Sequence, residues 1–129
     1  KQKKLPPDII QSLKLIEKKT KKNNAITINL ALNYGSKEEI VDASRKFIFN
    51  KKKVLNIKNF QEKLYTKNIP DPDILIRTGG TRRLSNFLLW QIAYAEIFFI
   101  DKLWPDFNEK DFNKIIRKFY KIKRNFGTV

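Results

Sequence analysis

The sequence predicts an α/β fold with a parallel sheet, and three apolar segments support this prediction. Residues 25–35 (AITINLALNYG) form a nearly continuous apolar run with β-branched side chains, which is typical of a strand covered on both faces. Residues 71–78 (DPDILIRT) and 96–101 (EIFFID) have the composition of two further, shorter strands. Segments with helical periodicity alternate with these strands, and this alternation favours parallel pairing. Because three strands make a small sheet, we expect the chain to be part of a larger domain.

Four segments carry apolar residues at helical spacing, and they span residues 5–23, 35–49, 56–68 and 108–126. Pro7 fits the first turn of the first helix. Ser36 and Glu39 predict a capping box at the start of the second, and Asn108 or Asp106 is positioned to cap the last. The side chains predicted to face inward are Ile9, Ile10, Leu13 and Ile16; Ile40, Val41, Ser44, Phe47 and Ile48; Ile57, Phe60 and Leu64; and Phe112, Ile115, Ile116, Phe119 and Ile122.

The composition excludes several classes of site. The 129 residues include no Cys and no His, which rules out disulfides, thiolate nucleophiles, Ser-His-Asp triads and ordinary zinc sites within this chain. A bound metal would therefore be a hard cation held by oxygen ligands, with Mg²⁺ as the default. No apolar run approaches the length of a transmembrane helix. The first residues, KQKKLPPD, resemble neither an initiator segment nor a signal peptide, so we expect them to lie inside a longer chain.

The net charge of +15 has two interpretations. A basic protein can bind nucleic acid, but here the Lys residues are scattered along the chain instead of forming a stripe, which favours compositional drift. Either interpretation implies a general attraction to anions, including phosphorylated substrates and acidic lipid headgroups. We expect no specific binding of nucleic acid.

One loop concentrates the arginines. Three of the six in the chain lie in residues 77–85 (RTGGTRRLS), directly after the second predicted strand. Ligands of parallel sheets bind at the carboxyl ends of strands. The pair Gly79 and Gly80 allows a sharp turn, Arg77 and Arg83 can each bind phosphate oxygens with two nitrogens, and Ser85 offers a hydroxyl that could also cap a following helix. The loop therefore favours a phosphate or diphosphate site over a surface loop joined to nearby acids by ion pairs.

Glu96 is a lone carboxylate within an apolar segment, QIAYAEIFF. Carboxylates are rarely buried without a partner. Two interpretations remain open: an ion pair with one of the loop arginines, or a ligand for Mg²⁺.

Several motifs together resemble the cis-prenyltransferase family, which includes the undecaprenyl diphosphate synthases. They are RTGG at 77–80, RLSNFLLWQ at 83–91, YAE at 94–96, LWPDF at 103–107 and, upstream, NYG at 33–35. The resemblance covers nearly the whole chain and corresponds to the C-terminal half of the family's single domain. Residues 1–129 are thus expected to be the C-terminal portion of that undecaprenyl diphosphate synthase-like α/β domain, with the N-terminal half outside this chain.

The resemblance implies an activity. Cis-prenyltransferases are homodimers that use Mg²⁺ to condense isopentenyl diphosphate in cis onto an allylic diphosphate, usually farnesyl diphosphate. Their polyprenyl diphosphate products are lipid carriers for bacterial cell-wall synthesis, which implies a cytoplasmic enzyme with peripheral membrane contact. By position, the residues implied to bind substrate are Arg77, Arg83 and Ser85; the one implied to bind metal is Glu96; and those implied at the dimer interface are Asn86, Phe87, Trp90 and Tyr94.

Two positions depart from the family pattern. Thr81 stands where the family has Glu, and Asn125 stands where it has a phosphate-binding Arg. Arg82 and Arg124 are further candidates for substrate binding that could compensate. With the family's catalytic Asp outside this chain, we expect the 129 residues alone to be inactive. The alternatives are a non-catalytic accessory subunit of a heteromeric prenyltransferase and, less favoured, a basic nucleic-acid-binding module.

Overall fold

The computed structural model describes residues 5–49 and 54–125. In order, these residues form the helices α1 (Pro7–Thr20), α2 (Ser36–Ile48) and α3 (Ile57–Gln61), the strands β1 (Ile74–Arg77) and β2 (Glu96–Phe99), a 3₁₀ turn (Trp104–Asp106) and helix α4 (Glu109–Phe119). None of the described helices is long and apolar enough to cross a membrane. The chain divides into two compact units, Lys1–Tyr34 and Gly35–Val129, which are described separately below.

The first unit contains α1 and the apolar run that follows it. Pro7 occupies the first turn of α1, as predicted, and Lys18 and Lys19 lie in the last turn, where cations complement the helix dipole. The predicted inward face is shallow, because no residue of α1 is buried and Ile16 is 54% exposed.

The predicted strand at residues 25–35 is wrong for this chain. These residues have no regular secondary structure before α2 begins, and Ile26, Ile28 and Leu30 are all at least 66% exposed. A strand forms only where a neighbouring strand accepts and donates its backbone hydrogen bonds. Among the described residues no strand pairs with this run, so it forms no strand although its residues have high β propensity.

The second unit contains the sheet, whose two described strands pair in parallel with Ile74 opposite Glu96 and Arg77 opposite Phe99. This pairing confirms the predicted α/β class, and both strands lie within the segments predicted for them, 71–78 and 96–101. Helix α4 is also confirmed, although it ends seven residues before the predicted boundary. Asn108 caps it through a capping box with Asp111, while Asp106 belongs to the preceding 3₁₀ turn.

The core of this unit lies between α2, α3 and the segment before β2. Ala43, Phe60 and Leu64 are buried together, and the rings of Phe60 and Trp90 lie 4.7 Å apart. Several positions predicted to face inward are instead exposed by 38–70%, and in this unit they are Val41, Ile48, Ile57, Phe112 and Ile122. Helix α3 has five residues instead of thirteen, and turns replace its second half.

Candidate functional site

The arginine loop leaves β1 at its carboxyl end and is fixed to the chain that follows β2. Gly79 donates a hydrogen bond to the carbonyl of Lys102 (2.7 Å) and Gly80 donates one to the carbonyl of Ile100 (3.1 Å). The two glycines have φ of 88° and 71°, a region that other residues rarely adopt. The glycine pair is therefore required by the backbone conformation that turns the loop away from the sheet.

Arg77 is held by Thr81, four residues further on. Its Nε and Nη2 donate hydrogen bonds to Oγ1 of Thr81 at 3.1 and 2.9 Å. Within residues 5–49 and 54–125 no carboxylate forms an ion pair with Arg77. The guanidinium therefore has a fixed position and an uncompensated charge at the end of β1.

The other candidate ligands of the loop lie on the surface. Arg82, Arg83 and Ser85 are exposed, and no hydrogen bond or ion pair joins their side chains to the described part of the chain. Arg82 lines a groove of about 700 Å³ whose walls include Phe99 and Ile115. All three side chains are thus free to meet an anionic ligand, and none of them forms a hydrogen bond with Arg77.

No helix follows Ser85, so its predicted capping role is wrong. Ser85, Asn86 and Leu88 have φ between 45° and 63°, and repeated left-handed residues are incompatible with a right-handed helix. The segment instead makes turns that bond to the start of α2. Asn86 accepts the N–H of Ser36 on its backbone carbonyl and the N–H of Lys37 on its side chain, both at 2.8 Å.

The predicted capping box of Ser36 and Glu39 is also wrong, because Gly35 is the N-cap of α2 and its carbonyl accepts the N–H of Glu39 (3.1 Å). Asn86 already satisfies the first amides of α2, which leaves both side chains available for distant partners. The hydroxyl of Ser36 accepts the N–H of Leu89 (2.9 Å). Glu39 accepts the N–H of Tyr65 (2.7 Å) and a hydrogen bond from Nε2 of Gln91 (3.1 Å).

Glu39 is a residue of this region whose role sequence reasoning missed. Its side chain is fully buried, and Gln91, which donates to it, also donates to Oγ1 of Thr66 (2.9 Å). The signal was available in the helical spacing, because Glu39 lies four residues before the buried Ala43 and so shares its face. The carboxylate joins α2 to the two segments that enclose the core.

The four proposed interface residues differ in their surroundings. Trp90 packs on Phe60, and Asn86 also donates to a carboxylate oxygen of Glu38 (3.0 Å). Phe87 is 36% exposed and Tyr94 is 61% exposed. These surroundings leave the aromatic rings of Phe87 and Tyr94 accessible in this chain.

Glu96 and the arginine loop lie at opposite ends of the strand pair. Glu96 begins β2 opposite Ile74, whereas Arg77 ends β1, three residues and roughly 10 Å further along the strand. In the described part of the chain Glu96 forms no ion pair with a loop arginine. No group of three or more acidic residues there could hold a metal ion by itself.

Arg124 is engaged within the chain. Its guanidinium forms an ion pair with Asp73 (2.5 Å), donates to the carbonyl of Tyr94 (3.1 Å) and lies over the ring of Phe119. These contacts connect the residues after α4 to the residues just before β1 and β2. Asn125, which follows, is exposed.

Comparisons with known proteins agree with the motifs of the loop. The family model described as putative undecaprenyl diphosphate synthase matches residues 1–127. An isoprenyl transferase of Fusobacterium nucleatum is 46% identical over 125 residues, which cover 97% of this chain and 54% of the relative. A farnesyl-diphosphate-specific ditrans,polycis-undecaprenyl-diphosphate synthase of Haemophilus influenzae is 46% identical over 91% of this chain and 52% of its own length.

Solved structures give the same result. The chain is similar to a probable undecaprenyl diphosphate synthase of Campylobacter jejuni, with a TM-score of 0.87 and 38% identity, over 99% of this chain and 60% of the other. It is also similar to lavandulyl diphosphate synthase of Lavandula x intermedia, with a TM-score of 0.92 and 32% identity, over 98% of this chain and 57% of the other. The chain thus spans about half the length of the curated relatives it matches. With the family model matched across almost every residue and the fold shared with these structures, this chain belongs to the undecaprenyl diphosphate synthase family of prenyltransferases.

Proposed function

We propose that the full-length polypeptide is a cis-prenyltransferase. It condenses isopentenyl diphosphate in cis onto an allylic diphosphate, for which farnesyl diphosphate is our candidate. The observation that carries this proposal is Arg77, whose guanidinium is oriented by Thr81 and lacks a carboxylate partner among the described residues. A fixed cation at the carboxyl end of a parallel strand is suited to a diphosphate.

The loop residues would bind the diphosphate of isopentenyl diphosphate. Arg77 supplies the fixed charge, and the exposed Arg83 and Ser85 can close on the remaining oxygens. Arg82 is a further candidate, whereas Arg124 would first have to leave Asp73. Arginine suits this role because it stays charged at every physiological pH and its planar fork fixes the orientation of the phosphate.

The loop residues bind and orient, and they transfer no proton. In the condensation the C–O bond of the allylic diphosphate breaks and pyrophosphate leaves, the homoallylic double bond of isopentenyl diphosphate forms the new bond to the allylic carbon, and a proton is then lost. The rate depends on holding both reactants in line and on stabilising the charge of the diphosphates. The loop residues would meet both requirements at one substrate, isopentenyl diphosphate.

We assign Glu96 as a ligand of Mg²⁺ in the site of a second subunit. One carboxylate fits this ion, since Mg²⁺ in nucleotide and phosphate sites is held by one or two carboxylates, substrate phosphates and water. When bound, the ion would neutralise diphosphate charge. Because Glu96 lies at the opposite end of the strands from Arg77, it is better placed to serve another loop than its own.

The proposal therefore includes a homodimer. We place Asn86, Phe87, Trp90 and Tyr94 at or near its interface, where the exposed rings of Phe87 and Tyr94 would be covered. Analytical ultracentrifugation of the full-length polypeptide tests this assignment, with Tyr94→Asp expected to shift the dimer toward monomer. An unchanged sedimentation coefficient for this variant would count against the interface.

The product would be a polyprenyl diphosphate that carries cell-wall sugars, made by a cytoplasmic enzyme in peripheral contact with the membrane. The basic side of α4 supports this contact. A cleft of about 330 Å³ is lined there by Lys110, Asn113, Lys114, Arg117 and Lys118 of α4 and by Lys121, which follows the helix. Such clusters are attracted to anionic headgroups by about 1 kcal/mol for each cation. Co-sedimentation with vesicles of phosphatidylglycerol, but not of phosphatidylcholine, is the expected result.

The decisive experiment is prenyl transfer by the full-length polypeptide. It would receive farnesyl diphosphate, isopentenyl diphosphate and Mg²⁺, and the lipid products would be sized. Arg77→Ala should abolish elongation, whereas Arg117→Ala, which removes the same charge from the exposed side of α4, should retain it. Equal activity in the two variants would reject the assignment of Arg77.

The accessory-subunit alternative rests on Thr81 and Asn125, the two departures from the family pattern. It predicts a folded protein that makes no product alone and gains activity when mixed with a catalytic homologue. Restoring the family residues with Thr81→Glu and Asn125→Arg should then raise activity in the protein by itself.

A further inference from the structure

We propose that Thr81 is a positioning residue of the diphosphate site, which orients Arg77 without neutralising it. This inference deepens the proposed function and rests on it. It also assigns a role to Thr81. From the family pattern alone, this residue would be only the loss of a carboxylate.

The hydrogen bonds divide the guanidinium into an occupied edge and a free edge. Arginine has five N–H donors. Oγ1 of Thr81 accepts one from Nε and one from Nη2 at 3.1 and 2.9 Å, which fills both lone pairs of the hydroxyl. The remaining three donors lie on Nη1 and Nη2, at the outer end of the fork. That pair can bind two oxygens of one phosphate group.

Thr81 is well fixed for this task. It follows Gly79 and Gly80 directly, and both glycines are hydrogen-bonded to carbonyls that follow β2. Arg77 also accepts the N–H of Ile100 on its own carbonyl (2.8 Å). Donor and acceptor are therefore anchored to the same strand end, so the hydroxyl restricts the rotamer of Arg77 before any ligand arrives. This preorganisation reduces the entropy lost when the ligand binds.

The chemical difference between Thr and Glu decides what the ligand meets. A carboxylate at position 81 would orient Arg77 equally well, but it would also cancel the charge and compete with the phosphate for the same donors. The hydroxyl of Thr81 orients the guanidinium of Arg77 and leaves its positive charge in place. The site of this chain thus presents one more net positive charge to a diphosphate than a site with Glu at position 81.

The test uses the full-length polypeptide and inorganic pyrophosphate, with EDTA present so that no metal bridges the ligand. Affinity is measured by calorimetry at several salt concentrations. Thr81→Val keeps the β-branched shape and removes the hydroxyl, Thr81→Ser retains it, and Thr81→Glu adds the charge. Arg77→Gln tests the underlying site, and Arg117→Gln is its control of equal net charge. Thermal melts confirm that each variant is folded.

We expect Thr81→Val to weaken pyrophosphate binding about three- to tenfold, the effect of losing a hydrogen bond of ordinary strength. Thr81→Ser should bind like the parent. Thr81→Glu should bind more weakly than Thr81→Val and show a shallower dependence on salt, which a purely structural role of Thr81 would not produce. In the prenyl transfer assay the same order should hold for the KM of isopentenyl diphosphate.

Two results would overturn the inference in distinguishable ways. If Arg77→Gln weakens binding but Thr81→Val and Thr81→Glu do not, Thr81 has no positioning role although the diphosphate site stands. If Arg77→Gln weakens binding no more than Arg117→Gln, pyrophosphate is attracted only by the general charge of the protein. The proposed site and the role of Thr81 would then both be rejected.

Discussion

Replacing Glu39 with Ala should destabilise this protein more than any change to its exposed acids. Glu39 is fully buried in α2 and accepts hydrogen bonds from the N–H of Tyr65 at 2.7 Å and from Gln91 at 3.1 Å. Alanine leaves the N–H of Tyr65 without its acceptor and opens a cavity beside Ala43. The amide of Gln91 keeps one partner, Thr66.

The size of the effect follows from these contacts. A buried donor left without a partner costs about 1–3 kcal/mol, and the lost packing of a side chain of this size adds about 1–2 kcal/mol. The sum, about 2–5 kcal/mol, is a large part of the ~5–15 kcal/mol that stabilises a typical domain. Glu39→Ala should therefore lower the midpoint of urea unfolding strongly, while Glu17→Ala, which removes an exposed carboxylate of α1, should leave it nearly unchanged.

Glu39→Gln separates hydrogen bonding from charge. Oε1 of Gln91 is the buried side-chain oxygen that lacks a partner among the described residues. If the amide of Gln91 rotates by half a turn, this oxygen can accept from the amide introduced at position 39 and from the hydroxyl of Thr66. We therefore expect Glu39→Gln to cost less than half as much as Glu39→Ala. A loss below about 0.5 kcal/mol for Glu39→Ala, the range of surface substitutions, would refute the structural role of this carboxylate.

Three further predictions concern other parts of the chain. The hydroxyl of Tyr65 donates to Asp42, and this hydrogen bond, together with burial, raises the pKa of Tyr65 to about 12. Since the folded protein favours the neutral phenol, its contribution to stability is present below pH 10 and is lost as the pH rises from 10 to 12; absorbance titration at 295 nm should show the late transition, and Asp42→Asn should move it back toward pH 10. Asn86→Ala should reduce the free energy of unfolding by about 1 kcal/mol, because the amide of Lys37 at the start of α2 loses its acceptor; a calorimetric change equal to that of an exposed Asn113→Ala would contradict this. The 129 residues alone should make no prenyl product, because they span only about half the length of the relatives that they match; elongation by this chain without a partner would refute the expectation.

The elements that the sequence predicted correctly are those whose signal is local. Helices α2 and α4 have a strong apolar periodicity, and the cap of α4 depends on Asn108 and Asp111, which are neighbours in the chain. The segment at β1 is short, apolar and followed by a glycine pair. In each case the residues that decide the conformation lie within one or two turns of each other, so one sequence was sufficient.

The elements that it predicted wrongly depend on distant partners. The run at residues 25–35 has the composition of a strand, but composition cannot supply the neighbouring strand that its backbone requires. Helix α3 stops at Gln61 because the chain turns there, and Leu64 and Tyr65 then pack or bond against α2. The capping box was wrong because Gly35 is the N-cap of α2 and its carbonyl accepts the N–H of Glu39, while Asn86, 50 residues from Ser36, accepts the N–H that the side chain of Glu39 would have bound.

The candidate site shows the same division. The position of the arginine loop could be predicted, since it follows from the order of a strand, two glycines and several cations. The bond between Arg77 and Thr81 could not, because it depends on left-handed φ at both glycines and on anchors that lie after β2. Spacing of four residues predicts side-chain contact in a helix, and this loop is not one.

Hydrogen bonds from α2 hold the turns that follow the arginine loop. Ser36, at the start of α2, donates to Asn86 and accepts from Leu89 in the turns that follow the arginine loop, and Glu39 holds Gln91 soon after. The loop is therefore anchored at both ends: by the strand exit before it and by α2 after it. A substitution at Glu39 that leaves the protein folded should then make Arg83 and Ser85 more mobile than Arg77. Arg77 and its partner Thr81 are held by hydrogen bonds to the residues after β2, which do not involve α2. Such a variant should weaken binding of isopentenyl diphosphate while the contact between Arg77 and Thr81 persists.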